Sequence, residues 1–387
     1  MTDRFYGALF GLAYGDAISF PALFHRFQAP AIPRKRHNTL WQTNQTHDST
    51  NIARLMLPFT HRLSADLLEP CPTYNTEFAM LTLKALIEET GAVSPRTFLS
   101  IWQREVVPNA AQVRSSFSER AAIENLKRGL LPPATGNDNP LHYEDCAAIR
   151  AVSIGLYAAG DPDRAVEIAE WDAQISQAED GIYAAKAMAA TISVLAAGKP
   201  VTEAIARGRQ EFPKGSWITQ VDSVAQQCAA EVSMPADLVL LLSRRVINTV
   251  YSYGNAAPET IPAAFVLAEK CAGDLKLCCT FAPTRSQSAD SLPALVGAIC
   301  GCHQGDQAVT LLWREALNTL RGLCLPFMAG ITFTEYVDRL RARLSTGDDF
   351  GATAPNLMCA VVEHLVETAI AMATAIESKL TSVLLSH

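Results

Sequence analysis

The sequence lacks runs of alternating apolar and polar residues rich in Val, Ile and Thr, which leaves no basis for a β-sheet. It also lacks an uninterrupted apolar stretch of the length that a membrane span needs, so no membrane partner is expected. Its opening residues, MTDRFYGALFG, carry an acid and a base close together and show no cleavage-like end to an apolar region. Basic residues are not in surplus. A net charge of −7 argues against nucleic acid as a partner, because phosphate contacts need Lys and Arg gathered on one face. The one basic cluster, Arg34-Lys35-Arg36-His37 beside Pro33, is short and reads as a solvated loop. The ten cysteines follow no metal-ligand spacing: Cys278 and Cys279 are adjacent, and Cys300-x-Cys302 is not a CxxC. Thiols in such apolar surroundings act as small core residues, and a reducing cytoplasm is the expected compartment.

What is present is a helix-forming pattern over almost the whole of 387 residues, 49% of them hydrophobic and 18% charged. Apolar residues recur every three or four positions in segments 79–89, 146–159, 163–175, 181–197, 236–251, 262–274, 291–303, 309–322, 334–344 and 357–376. The fold class expected is all-α, a large helical bundle. Short connections such as Gly160-Asp161-Pro162 and Gly198-Lys199-Pro200 suggest antiparallel neighbours. No break in composition serves as a linker, so residues 1–387 are expected to form one domain, with helices of 307–387 packed on it.

Two helices stand out by their glycines. Gly7, Gly11 and Gly15 repeat every four residues, and Gly297, Gly301 and Gly305 do the same. Glycine costs about 1 kcal/mol relative to alanine inside a helix, so three on one face need compensation. Close approach of another backbone supplies it, and the two stripes are expected to pack against each other at the centre of the molecule.

In so apolar a chain the informative residues are the acids and amides near these helices. Asp16 ends the first; Asp290 and Ser291 open the second; Glu144 and Asp145 precede a third in TGNDNPLHYEDCAAIR. Each alone reads as a helix cap or a first-turn acid. The stretch CPTYNTEFAML, residues 71–81, starts a helix at which Thr73, Asn75 or Thr76 could each be the cap.

Together they form an ordered pattern. Gly7, Gly11, Ala13, Gly15, Asp16, Ala17 and Pro21 are followed by Thr73, Thr76 and Glu77, then by Gly136, Asn137 and Ala147 through Arg150. Asp172-Ala173 come next, and last Asp290, Ser291, Ala294, Gly297, Ala298 and Gly301. This order resembles the ADP-ribosylglycohydrolase family, over about residues 4 to 306. The resemblance implies an all-α protein that removes ADP-ribose from a modified protein side chain or releases related ADP-ribosyl groups. ADP-ribose-like or ribosylated small molecules and ADP-ribosylated proteins are the implied partners.

Such proteins hold two Mg²⁺ or Mn²⁺ ions in a Thr-Asp-Asp-Thr turn and a Gly-Gly-Asp-Thr-Asp-Thr turn, where carboxylates offset four positive charges. This chain departs there. The first turn reads Thr73-Tyr74-Asn75-Thr76, the second Ser286-Gln287-Ser288-Ala289-Asp290-Ser291, and a further acid position falls on Leu23. A Thr-His expected after Asp172-Ala173 is replaced by Gln174-Ile175-Ser176-Gln177. By resemblance, Thr73, Asp290 and Ser291 are the metal positions, with Mg²⁺ or Mn²⁺ at low occupancy or none. Asp290 and Asp145 are the expected catalytic carboxylates. Asp16, Tyr74, Asn75, Gly136, Asn137, Glu144, Arg150 and Asp172 are the expected substrate contacts, and the Tyr74 phenol is expected to close the space of the ions. Asp48 and His47, Glu77, Glu144, Asp145, Glu179 and Asp180 are the acids and imidazole that could rebuild the site, Asp48 first. Three readings stay open: a glycohydrolase with a metal-poor site, an inactive relative that binds ADP-ribose or a nucleotide, and a structural protein like the jellyfish crystallins on this scaffold.

Overall fold

The computed structural model describes residues 3–19, 71–247, 255–284, 288 and 290–346. The chain divides into two compact units, Met1–Arg341 and Ala342–His387; the first carries the features below. The expected helix over 357–376 and most of the segment 307–387 expected on the same domain lie outside the described residues, as do Pro21, Leu23, the basic cluster, His47 and Asp48.

All regular elements among the described residues are helical. In order they are α1 (Arg4–Ser19), α2 (Tyr74–Glu88), α3 (Pro95–Ile101), α4 (Phe117–Lys127), α5 (Ala134–Asn137), α6 (Cys146–Tyr157), α7 (Pro162–Ala173) and α8 (Asp180–Ala196). They continue as α9 (Val201–Arg209), α10 (Trp217–Glu231), α11 (Pro235–Arg245), α12 (Ala257–Lys270), α13 (Leu275–Phe281), α14 (Leu292–Gln304), α15 (Leu311–Leu317) and α16 (Phe333–Thr346). The all-α expectation holds. Helices α6, α7 and α8 pack on one another, α2 lies on α6, and α14 is set among α1, α12 and α13.

The glycine stripes meet as expected. A β-carbon built at Gly11 would stand 2.1 Å from the Gly297 carbonyl oxygen, and one at Gly301 would stand 2.1 Å from the Gly7 oxygen. The α1 and α14 backbones therefore touch with no side chain between them, and each helix presents carbonyls where the other has only hydrogen. Every residue from Gly7 to Ala13 is buried, as are Leu292 through Cys302. This central pair fixes where the last turn of α1 and the first turn of α14 lie, and those two turns carry Asp16 and Ser291.

Some boundaries differ from the periodicity. The run expected over 309–322 is helical only to Leu317, because the backbone after it pairs elsewhere: Thr319 forms an isolated bridge with Thr332, and the Leu320 amide donates to the Ile331 carbonyl at 2.9 Å. Further on, Leu323, Cys324 and Leu325 donate their amides to the Glu77 carboxylate at 2.7, 2.8 and 2.7 Å. Helix α12 opens at Ala257, ahead of the expected 262–274, with Pro258 in its first turn, where no amide is required. Helices α3, α4, α9 and α10 were not expected; their apolar stripes are narrow, and α4 is instead set by the Ser116 to Glu119 capping box. The described cysteines are all free, and all but Cys324 are buried. Cys278 and Cys300 sit with sulfurs 3.4 Å apart.

The central contact makes a direct prediction. Gly11→Ala should destabilise the protein by about 3 kcal/mol or prevent folding, since its methyl group meets rigid backbone on both sides. Gly91→Ala, whose β-carbon would have only the Glu89 side chain 3.9 Å away, should change stability by less than about 0.5 kcal/mol. Chemical denaturation of the two variants checks both.

Candidate functional site

Three helix starts converge beyond the end of α1. Thr73 precedes α2, Asp145 precedes α6 and Ser291 precedes α14, and none of these N-cap side chains caps its own helix. A helix start leaves backbone donors that a local Ser, Thr or Asp ordinarily satisfies. Here the cap of α2 comes from α1: Asp16 Oδ2 accepts from the amides of Thr73 and Thr76 at 2.8 and 3.2 Å and from the Thr76 hydroxyl at 2.7 Å. Asp16 Oδ1 accepts from the Thr73 hydroxyl at 2.5 Å and from Asn75 Nδ2 at 3.0 Å. The expectation that Thr73, Asn75 or Thr76 caps α2 is thereby corrected. A buried carboxylate satisfies several donors at once, which a local hydroxyl could not do.

The Asn75 amide continues the network. Its Nδ2 also donates to the Asp290 carbonyl at 2.6 Å, which ties the start of α2 to the start of α14. Its Oδ1 is buried without a hydrogen-bond partner. The Ser291 hydroxyl, released from capping, donates to Asp145 Oδ2 at 2.5 Å. Asp16, Thr73, Asn75, Asp290, Ser291 and Asp145 thus form one connected group, with the positive ends of three helices directed at it.

Asp145 is 1% exposed. Burial pushes its carboxyl well above the ordinary carboxylate range; Asp290 and Glu144 push the same way, while hydrogen bonds from Ser291 and Thr260 oppose the shift. A carboxyl that burial makes hold its proton more tightly, beside a second acid, is an arrangement that acid–base chemistry uses.

A second group lies behind the first. The Tyr74 phenol donates to Glu119 Oε2 at 2.8 Å, so its partner is a carboxylate of α4. Arg150 is fully buried, and its guanidinium donates to Glu119 Oε1 at 2.9 Å, Asp172 Oδ2 at 2.8 Å and Ser176 Oγ at 3.1 Å. The Trp102 ring lies 5.5 Å from the guanidinium carbon. Arg150 and Asp172, expected as substrate contacts, spend their groups on this internal ion cluster. Burial raises the carboxyl groups of Glu119 and Asp172, and the Arg150 charge draws both back down. Burial also pushes the neighbouring Cys146 thiol up to about 12, so it stays protonated.

The remaining expected residues are dispersed. Glu144 is buried and accepts from the Ser118 amide at 2.7 Å. Gly136 packs against backbone, its ideal β-carbon 2.2 Å from the Gln177 oxygen, while Asn137 is exposed at the end of α5. Glu179 is exposed, and Asp180 accepts from the Ile218 amide at 2.9 Å. Glu119 was missed by sequence reasoning, and Gln177 entered it only as part of the stretch that replaces a Thr-His. The Ser-x-x-Glu spacing at Ser116 was a legible sign of Glu119, but only as a helix cap. Gln177 donates to Cys146 Sγ at 2.7 Å and to Ser118 Oγ at 2.9 Å, a long-range pairing with no local signature.

The donor set among the described residues does not fit a pair of divalent ions. Asp16 has both oxygens occupied by donors, which leaves Asp145 and Asp290 as the only carboxylates of the group to set against four positive charges. No cluster of three or more His, Cys, Asp or Glu able to hold a metal occurs among the described residues.

Two outcomes test this geometry. Arg150→Met should cost about 3–5 kcal/mol in unfolding experiments without ligand, because it leaves two buried carboxylates unpaired. For Asp145, the folded protein binds a proton more tightly than the unfolded chain, so its contribution to stability falls as pH rises above the ordinary carboxylate range. Asp145→Asn removes that titration, and its stability relative to the parent should increase from about pH 4 towards neutrality, measured by denaturant titration at a series of pH values.

A sequence profile of the family described as ADP-ribosylglycohydrolase matches residues 1–377. Among solved structures, a chain described as "ADP-ribosylglycohydrolase-related protein complex" is 19% identical, with 84% of this chain and 98% of that one covered and a TM-score of 0.49. No curated protein sequence matches. Since the profile runs through the glycine stripes and all three helix starts, the chain belongs to the ADP-ribosylglycohydrolase family.

Proposed function

We propose that the chain hydrolyses a glycosidic bond to an ADP-ribosyl or ribosyl group at the meeting point of α1, α2, α6 and α14, without a pair of metal ions. The observation that supports this most is the set of three helix starts whose side chains forgo capping, with Ser291 turned to Asp145 and Thr73 to Asp16. Helix-start dipoles favour anionic groups, which suits the diphosphate of an ADP-ribosyl substrate.

In this reading Asp145 is the general acid. Its carboxyl, whose hold on a proton burial strengthens, gives that proton to the leaving nitrogen or oxygen as the bond from the anomeric carbon breaks. Asp290 offsets the positive charge that develops on the sugar and takes a proton from the attacking water. The new bond joins that water oxygen to the anomeric carbon, and proton return to Asp145 restores the starting state. Tyr74, Glu119, Arg150 and Asp172 hold the floor of the site. The substrate is an ADP-ribosylated protein side chain or a small ribosylated molecule, in a reducing compartment compatible with the free cysteines.

An inactive relative that binds ADP-ribose is the second reading, favoured by the depth of Asp145. The two separate in one assay. Incubation with peptides ADP-ribosylated on arginine or serine should release ADP-ribose equally with and without EDTA, and Asp145→Asn and Asp290→Asn should each slow release by about 100-fold or more. Binding of ADP-ribose with no release supports the inactive relative. Activity abolished by EDTA would contradict the metal-poor site.

A further inference from the structure

The Asn75 amide is oriented without ambiguity. Its nitrogen lies between two acceptors, Asp16 Oδ1 at 3.0 Å and the Asp290 carbonyl at 2.6 Å, so both hydrogens are committed and the oxygen faces the other way. Asn75 is 3% exposed, and Oδ1 has no hydrogen-bond partner. An unmatched buried acceptor is costly, and native structures keep one where something supplies a donor.

A cation set between Asp16 Oδ1 and the Asp290 carbonyl would have to compete with this amide for both oxygens. A hard cation joins oxygen atoms by accepting their lone pairs; an NH₂ group does the same by donating to them. The two cannot share the same lone pairs on Asp16 and Asp290. We propose that Asn75 stands in for a metal ion at this junction, tying α1, α2 and α14 together through its NH₂ and offering Oδ1 to a ribose hydroxyl, so that the site assembles and binds its ligand without a divalent cation. The ligand half of this inference rests on the function proposed above; the assembly half does not.

The chemistry of the ligand follows from the atom left open. A carbonyl oxygen repels an anion and takes a hydroxyl donor, and a ribosyl group supplies vicinal hydroxyls. Asn75→Asp would replace the bridging NH₂ by a second carboxylate oxygen facing Asp16, and would turn the tie into a repulsion that a divalent ion could relieve. Asn75→Ala would remove both the tie and the acceptor.

The test is thermal unfolding of the full chain, read with EDTA, with Mg²⁺, with Mn²⁺ and with ADP-ribose, together with calorimetric titration of ADP-ribose. The parent should melt at the same temperature in EDTA and in either metal, and ADP-ribose should raise that temperature in EDTA. Asn75→Asp should melt lower in EDTA and recover with Mg²⁺ or Mn²⁺. Asn75→Ala should bind ADP-ribose roughly tenfold more weakly or worse, with no rescue by metal. A parent stabilised by Mg²⁺ or Mn²⁺, or an Asn75→Asp protein indifferent to them, overturns the assembly half. An Asn75→Ala protein with parental affinity overturns the ligand half, and if that variant does not fold, loss of ADP-ribose binding by metal-free Asn75→Asp carries the same decision. A parent that binds no ADP-ribose under any condition refutes the proposed function and the ligand half together, while the metal arms still decide whether the amide replaces the ion.

Discussion

The contact between the α1 and α14 backbones sets the position of everything chemical in this protein. Side chains normally hold helix axes apart and allow small adjustments of tilt. With glycine on both sides, carbonyl oxygens of each helix occupy the space a methyl group would need, and the pair is held by backbone shape alone. The last turn of α1 and the first turn of α14 then fall side by side, and a single carboxylate on one can organise the start of a third helix. Asp16 serves α2 from 57 residues away in sequence, and it can do so because the seam leaves it no freedom to move off.

From this follows a division of labour among the buried polar groups. Around Asp145, Asp290 and Asn75, helix starts are left uncapped by their own residues and acidic groups are crowded into a dry place. Around Arg150, by contrast, opposite charges are matched and the donors used up. The first arrangement costs stability and keeps chemical potential; the second is closed on itself and stiffens the ground on which the first stands. Conserving the total of buried charge while separating its roles is how a largely apolar bundle can hold so many ionisable side chains.

Much of this was legible in the sequence, and the limits are physical. The glycine seam was readable because a repeat of four marks one helix face and glycine there has few uses other than close approach. Asp145, Asp290 and Ser291 stood out because polar residues are scarce at such positions in so apolar a chain. What could not be read was partnership across long separations. Thr73 looked like a cap because local spacing is all that a sequence displays, and the donor–acceptor pairing with Asp16 is a property of the folded chain. Arg150 and Asp172 carried the family pattern equally well as substrate contacts or as a buried pair. Only burial on all sides, with Glu119 as an unexpected third member, distinguishes the two.

Glu77 carries this dependence furthest. Its carboxylate is completely enclosed and is matched by three amides that lie 246 to 248 residues later. During synthesis, therefore, α2 can form early but cannot be sealed: the acid beside its first turn has no partners until residues 323–325 have left the ribosome. Gly7 likewise waits for Gly301. The nascent chain lacks these contacts of its future site until nearly all of the described residues have been made.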